Sequence, residues 1–179
     1  MSPHSMLMLI SSAATSCLIP VIGTFQVFIH VVYAPVEVTA RKRFFESLPT
    51  RFPDSAQHLV LGDLNTPFDP FADELVPYTH DFGLTELQTW MLELGVLDPW
   101  RATFPDHHLF SGPHQRNRID YCLVTPDLYE KIYRGSRYVT DMKWYQEDHY
   151  RVEFHLASTS RPDSKRLPGS VVEWVLKIV

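Results

Sequence analysis

Three short acidic stretches carry residue types that handle water and phosphate. Gly62-Asp63-Leu64-Asn65 follows the apolar run His58-Leu59-Val60-Leu61. In extended backbone Asp63 and Asn65 point to the same side, and a carboxylate beside a carboxamide can bind a hard cation or orient a water next to a phosphate. The plain alternative is a turn, which Gly, Asp and Asn all favour. Arg118-Ile119-Asp120-Tyr121 puts a carboxylate at the head of an otherwise apolar strand. If buried, Asp120 needs a partner; otherwise it is a solvated strand end. Glu147-Asp148-His149 precedes an alternating segment. Asp148 and His149 point apart in a strand, so each can serve a different partner, and a histidine near neutral pH can transfer protons or hydrogen-bond a phosphoryl oxygen. A polar turn is the alternative there.

Other residues carry weaker signals. His114, Arg116 and Arg118 make a compact basic patch that can line a DNA backbone groove or be a solvated loop. His107 and His108 lack a third ligand at zinc spacing. Trp90, Phe44 and Trp100 read as core, although an aromatic near a groove can stack on a base.

These residues need strands and helices to hold them. Phe25 to Tyr33 is apolar on both faces and reads as a buried strand. From Val38 the period becomes helical, with Phe44, Phe45, Leu48 and Phe52 on one face and Arg41, Lys42, Arg43 and Glu46 mostly off it. His58 to Gly62 reads as a central strand. Asp81 to Leu94 has helical spacing and Gly95 as its C-cap. Trp100 to Asn117 reads as irregular, Arg118 to Thr125 as a strand, Pro126 to Ile132 as a helical turn and Ser136 to Trp144 as a strand. Tyr150, Val152, Phe154 and Leu156 alternate with Arg151, Glu153 and His155. Mixed α and β layers fit this order better than a strictly parallel sheet.

The 179 residues suit one domain, and 45% apolar with 21% charged residues is ordinary for a soluble chain. The net charge of -5 argues against strong sequence-independent DNA binding, which usually needs a basic protein. Two cysteines, Cys17 and Cys122, exclude a disulfide framework or Cys-rich zinc site and fit a reducing compartment. Met6 to Ile10 is far short of the roughly 20 residues that span a bilayer, and no Lys or Arg precedes it as in a signal peptide. No membrane association and no stable protein partner are expected.

Tyr33-Ala34-Pro35, Gly62-Asp63-Leu64-Asn65, Arg118-Ile119-Asp120-Tyr121 and Asp148-His149 occur in the order shown by the endonuclease/exonuclease/phosphatase family, and the chain resembles that family over roughly residues 25 to 157. The strand ending VYAP, the stretch Asp98-Pro99-Trp100-Arg101 and the segment Arg161 to Trp174 look most like the endonuclease domain of LINE-type non-LTR retrotransposons. The resemblance implies a DNase I-like four-layer α/β/β/α sandwich, incomplete at the N-terminus. It divides the chain into an atypical segment 1–22, a partial domain 23–157 and a linker or tail 158–179.

The implied chemistry is Mg²⁺- (or Mn²⁺-) dependent hydrolysis of DNA phosphodiesters in a nuclear or cytoplasmic setting. Asp63 would position or activate water. Asn65 and Tyr33 would hydrogen-bond the phosphate, and His149 would contact it and stabilise charge. Asp120 would orient His149, Asp148 would help hold the metal, and Arg116 and Arg118 would meet the DNA. The family also uses an Asn and a Glu upstream of the Tyr strand, yet the 32 residues before Tyr33 contain no Asp or Glu. An incomplete metal site, and weak or absent nuclease activity, are therefore expected. The alternatives are a non-catalytic remnant of the family and a phosphatase or phosphodiesterase acting on a phospholipid.

Overall fold

A computed structural model of the chain describes residues 5–7, 15–22, 25–76, 83–139, 149–157 and 173–178. Its strands are β1 (Ser5–Leu7), β2 (Thr15–Ile22), β3 (Phe25–Tyr33), β4 (Gln57–Asp63), β5 (Asp120–Val124), β6 (Tyr133–Val139), β7 (Arg151–Ala157) and β8 (Glu173–Ile178). Its helices are α1 (Val38–Glu46), α2 (Leu84–Leu94), α3 (Pro99–Thr103) and α4 (Pro126–Lys131). The strands form two four-stranded sheets, in the orders β2-β3-β4-β5 and β1-β8-β7-β6. The first is mixed: β3 and β4 run parallel, while β2 and β5 flank them antiparallel.

The apolar run of β3 is buried on both faces because two cores meet there. Val27, Ile29 and Val31 face the second sheet, with Leu59, Leu61, Cys122 and Val124 beside them and Phe154 and Leu156 opposite. Val32, Val60 and Leu123 face the other way, onto Phe45 of α1 and Leu87, Trp90 and Leu94 of α2. This gives a helix layer, a sheet and a second sheet. α3 touches β5 and β6, and α4 touches β4 and β6, so both bridge the sheets at their side. Among the described residues no helix packs on the outer face of the second sheet, where the four-layer expectation puts one. That face carries Arg137, Arg151 and Glu153, and the Glu153 carboxylate is buried between the two guanidiniums. No described helix is long and apolar enough to cross a membrane.

Local chemistry accounts for the element ends. The Glu37 side chain accepts from the backbone N–H groups of Thr39 (2.9 Å) and Ala40 (2.5 Å) and caps α1. The helical period expected to reach Phe52 stops at Glu46, where the Ser47 hydroxyl donates to the Phe44 carbonyl (2.7 Å). Leu48 and Phe52 still pack beneath the helices from irregular backbone. α3 lies inside a stretch expected to be irregular; Asp98 as N-cap with Pro99 at the first helical position was its sequence signal. β2 falls within residues 1–22 and β8 within 158–179, pairing with β3 and β7 respectively. Residues 140–148, which include most of the strand expected to reach Trp144, lie outside the described residues.

Candidate active site

Strand register assembles the site. Tyr33 of β3 pairs with Asp63 of β4, and Asp63 pairs with Asp120 of β5, so one row across three strands carries all three. Gly62 makes the row possible. Its φ is +145°, and a Cβ there would lie 1.7 Å from the Val32 carbonyl oxygen. Only a glycine lets β3 and β4 close up at this point.

Asp63 and Asn65 meet, but through a turn rather than extended backbone. Asn65 has φ +48°, a left-handed conformation that Asn tolerates. Its backbone N–H donates to Asp63 Oδ1 (2.8 Å), and its Nδ2 donates to the Ala34 carbonyl (2.8 Å) and, at 3.3 Å, to Asp63 Oδ2. The turn thus fixes both side chains and binds the loop after β3 to the loop after β4.

His149 enters from the second sheet, just before β7. The Asp120 carboxylate can only accept, so His149 Nδ1 carries a proton and donates to Oδ2 (3.0 Å) and Oδ1 (3.2 Å). The far nitrogen, Nε2, lies 4.0 Å from Asp63 Oδ2. Burial of Asp63, and then the neighbouring Asp120 charge, push its pKa up to about 6 against the opposing pulls of the Asn65 N–H, His149 and Arg41. A carboxylate in that range is poised to accept a proton near neutral pH. Asp63, Asp120 and His149 each offer one ligand atom, and these lie within 4.8 Å of one another. Two carboxylates suit a hard divalent cation, and the added imidazole nitrogen suits Mn²⁺ as well.

Two supporting residues were not singled out by sequence. The buried Ser111 hydroxyl donates to Asp120 Oδ2 (2.7 Å) and accepts the N–H groups of Ile119 (3.2 Å) and Asp120 (3.1 Å), while the Ser111 carbonyl accepts from Tyr150 N–H (2.8 Å). One residue therefore ties the Asp120 carboxylate to the chain beside His149. Arg41 falls off the apolar face of α1 in the sequence pattern, yet it is buried. Its Nη1 donates to the carbonyls of Pro35 (3.1 Å) and Val36 (2.9 Å), and its charge stands near Asp63. No spacing rule marks a lone serine or one arginine of an Arg-Lys-Arg run.

Arg118 corrects an expectation. It does not line a groove with Arg116; only 1% of it is exposed. Its Nε donates to Asp73 Oδ1 (2.8 Å), its Nη2 contacts Asp98, and its guanidinium lies over the rings of Trp100 (4.8 Å) and Tyr121 (4.5 Å). A guanidinium goes inside only where carboxylates meet it, and two do. Tyr138 joins this cluster to the site, accepting from Arg118 Nη1 (3.3 Å) and donating to the Asp120 carbonyl (2.7 Å). Arg116 is exposed. Tyr33 is half-exposed at the end of its strand. Asp148 lies outside the described residues.

A groove of about 660 Å³ adjoins the site, lined by Val36, Val38, Arg41, Asn65, Leu75, Val76 and Arg116 among others.

This arrangement and the two-sheet frame define a DNase I-like α/β fold, and solved structures share it. The chain is similar to the catalytic domain of Xenopus laevis APE2 (20% identity, TM-score 0.59, covering 74% of this chain and 50% of that one). It is also similar to the 3' phosphatase NExo from Neisseria bound to product DNA hairpin (20% identity, TM-score 0.60, covering 73% and 61%). An AP endonuclease from Archaeoglobus fulgidus aligns at 15% identity with a TM-score of 0.51, covering 70% and 60%. The chain thus spans about half to three fifths of the length of these structures. No protein-family model and no curated protein matches it.

Proposed function

We propose that this chain hydrolyses phosphodiester bonds of DNA with the help of Mg²⁺ (or Mn²⁺), as an endonuclease domain of the LINE retrotransposon type, in the nucleus or cytoplasm. The observation that carries the reading is the triad geometry: His149 Nδ1 on Asp120 at 3.0 Å, with Nε2 turned toward Asp63. The LINE-type assignment rests on the wording of VYAP, of Asp98-Pro99-Trp100-Arg101 and of the segment Arg161 to Trp174.

In this reading Asp63 takes a proton from the attacking water. Its fixed contacts with Asn65 suit that task. His149, held by Asp120, contacts the phosphate through Nε2 and stabilises the charge that builds there. Asn65 and Tyr33 contribute further hydrogen bonds to the phosphate, and Arg116 meets the DNA backbone outside. Asp63 and Asp120 would hold the cation with His149 beside them, and Asp148 is the further ligand expected from sequence. The cation's contribution is neutralisation of phosphate charge. With this small donor set, turnover is slow.

A second reading, a non-catalytic remnant that only binds, is favoured by one observation: among the described residues no further carboxylate joins the Asp63, Asp120 and His149 cluster. Incubating the purified chain with supercoiled plasmid and Mg²⁺ or Mn²⁺, beside an EDTA control and phospholipid vesicles, separates the possibilities. Metal-dependent nicking supports the proposal. Release of phosphate from lipid headgroups, or inertness toward both substrates, contradicts it.

A further inference from the structure

Asp120 lies on β5 of the first sheet and His149 leads into β7 of the second, so no strand ladder sets the distance between them. Apolar packing between the sheets is non-directional and does not fix it either. Hydrogen bonds do cross the gap at this end, and one comes from a side chain that the hydrolytic reading does not use. Tyr138 stands on β6, where its partner on β7 is Val152. Its hydroxyl donates to the Asp120 carbonyl (2.7 Å) and accepts from Arg118 Nη1 (3.3 Å). β5 is an edge strand of its sheet. The Asp120 N–H and carbonyl both find partners off the ladder, the N–H at Ser111 Oγ (3.1 Å) and the carbonyl at Tyr138. A buried carbonyl at such an edge needs a donor. Asp120 is thus held twice from the second sheet, at its carbonyl by Tyr138 and at its carboxylate by His149. The phenol cannot swing aside. Its ring is buried, edge-on to Trp100 at 5.4 Å, and packed with Val152. Burial pushes its pKa up, so the hydroxyl stays a donor.

We propose that Tyr138 is a positioning residue: by tying β6 to the Asp120 carbonyl it sets the spacing of the two sheets at the site and so aligns His149 on Asp120. The inference rests on the phosphodiester reading above for its effect on turnover. Tyr138 touches neither water nor phosphate in that reading; it acts through Asp120. The Arg118 guanidinium, held by Asp73 and Asp98, donates to the same phenolic oxygen. A hydroxyl that accepts from a cation is a stronger donor in turn, so the buried ion cluster stiffens the tie from behind. Without the hydroxyl, the Asp120 carbonyl loses its donor and the sheets part or slide at this end. His149 then drifts from Asp120 while Asp63 and Asn65, fixed by their own turn, stay in place. Misalignment of one catalytic group lowers the rate of the bound complex and leaves binding intact. A tyrosine that only satisfied an edge carbonyl would affect stability alone, and that difference is measurable.

The test compares the full chain with Tyr138→Phe, which removes the hydroxyl and keeps the ring, and with Val139→Ala, which thins the next residue of β6 and keeps the hydroxyl. Thermal melts verify folding. The ¹⁵N signals of the His149 ring are recorded at one pH in EDTA, and plasmid nicking is followed with Mg²⁺ or Mn²⁺ over a range of plasmid concentration. In Tyr138→Phe the ratio of Nδ1–H to Nε2–H forms of His149 should fall at least roughly threefold, because Asp120 no longer selects the Nδ1 proton. The saturating nicking rate should drop about tenfold with the half-saturating plasmid concentration unchanged. Val139→Ala should move neither. Unchanged ring signals or an unchanged nicking rate in Tyr138→Phe overturns the inference, and so does an equal disturbance in Val139→Ala. If folded wild type does not nick, the hydrolytic reading falls by itself and the ring signals alone decide the role of Tyr138. If Tyr138→Phe does not fold, Trp100→Phe, which loosens the ring's support, replaces it: a shift of the ring signals in the same direction supports the inference, and none overturns it.

Discussion

Asp63 is held at a thermodynamic cost that Asp63→Asn should relieve. The carboxyl is 8% exposed and stands beside Asp120, and its pKa rises from 3.8 to about 6. A raised carboxyl pKa means the folded state prefers the protonated form. The folded protein is therefore most stable, with respect to this group, below the unfolded pKa, and that stability is lost as pH rises through about 6. A shift of roughly two units corresponds to about 3 kcal/mol at pH 7.5. At pH 4.5 the unfolded carboxyl is already mostly ionised while the folded one is not, and the loss is only about 1 kcal/mol. Asn keeps the acceptor oxygen for the Asn65 N–H and removes the charge. Urea denaturation of wild type and Asp63→Asn in EDTA at both pH values reports on the group together with its coupling to Asp120 and His149, because the titrations of distant groups cancel in the difference. The variant should gain about 2 kcal/mol on wild type between pH 4.5 and pH 7.5. A difference that stays flat with pH, or shrinks as pH rises, refutes the electrostatic account of the site.

Ser111→Ala removes a buried hydrogen bond to a charged group and two acceptances from backbone N–H. It should cost about 1.5–3 kcal/mol in urea melts and alter the ¹⁵N-detected tautomer balance of His149, with Ser111→Thr restoring the tautomer. Unchanged tautomer signals would remove Ser111 from the support of the Asp120–His149 pair. Arg118→Ala should destabilise by about 3 kcal/mol, because Asp98 loses its guanidinium partner and Asp73 keeps only Arg101, whereas Arg116→Ala should leave the melt unchanged and weaken DNA binding; equal melts for the two variants would contradict the assignment. The buried rings of His30 and His58 share a hydrogen bond of 3.0 Å, and burial, then the His58 charge, lower the His30 pKa to about 4. The stability this neutral pair contributes is complete above pH 6.5 and lost as pH falls toward 4, by up to about 3 kcal/mol, so His30→Gln should flatten the stability profile across that window.

Sequence pattern revealed the strands far better than it revealed what joins them. β3, β4, β5 and β7 are apolar or alternating runs whose burial follows from their period. The positions of Asp63, Asn65 and Asp120 at strand ends follow directly from those runs. His149 was legible as a candidate, but its pairing with Asp120 spans two sheets and depends on register, which no local pattern contains. Arg118 misled because an arginine next to a basic neighbour looks solvated. Its burial depends on Asp73 and Asp98, tens of residues away, folding to meet it. Arg41 acts through backbone carbonyls, and Ser111 through backbone groups and the Asp120 carboxylate, and these contacts leave no trace in residue types. β2 was obscured by its place in a segment, 1–22, that resembles no part of the family pattern.

The most direct test of the central claim is a plasmid-nicking time course with Mg²⁺ or Mn²⁺ on wild type, His149→Ala and Asp63→Asn, each shown to be folded by its melt. Slow, EDTA-sensitive nicking by wild type that disappears in both variants is the predicted result. Nicking that survives in either variant, or none from folded wild type, contradicts the claim that Asp63, Asp120 and His149 form a working phosphodiester site.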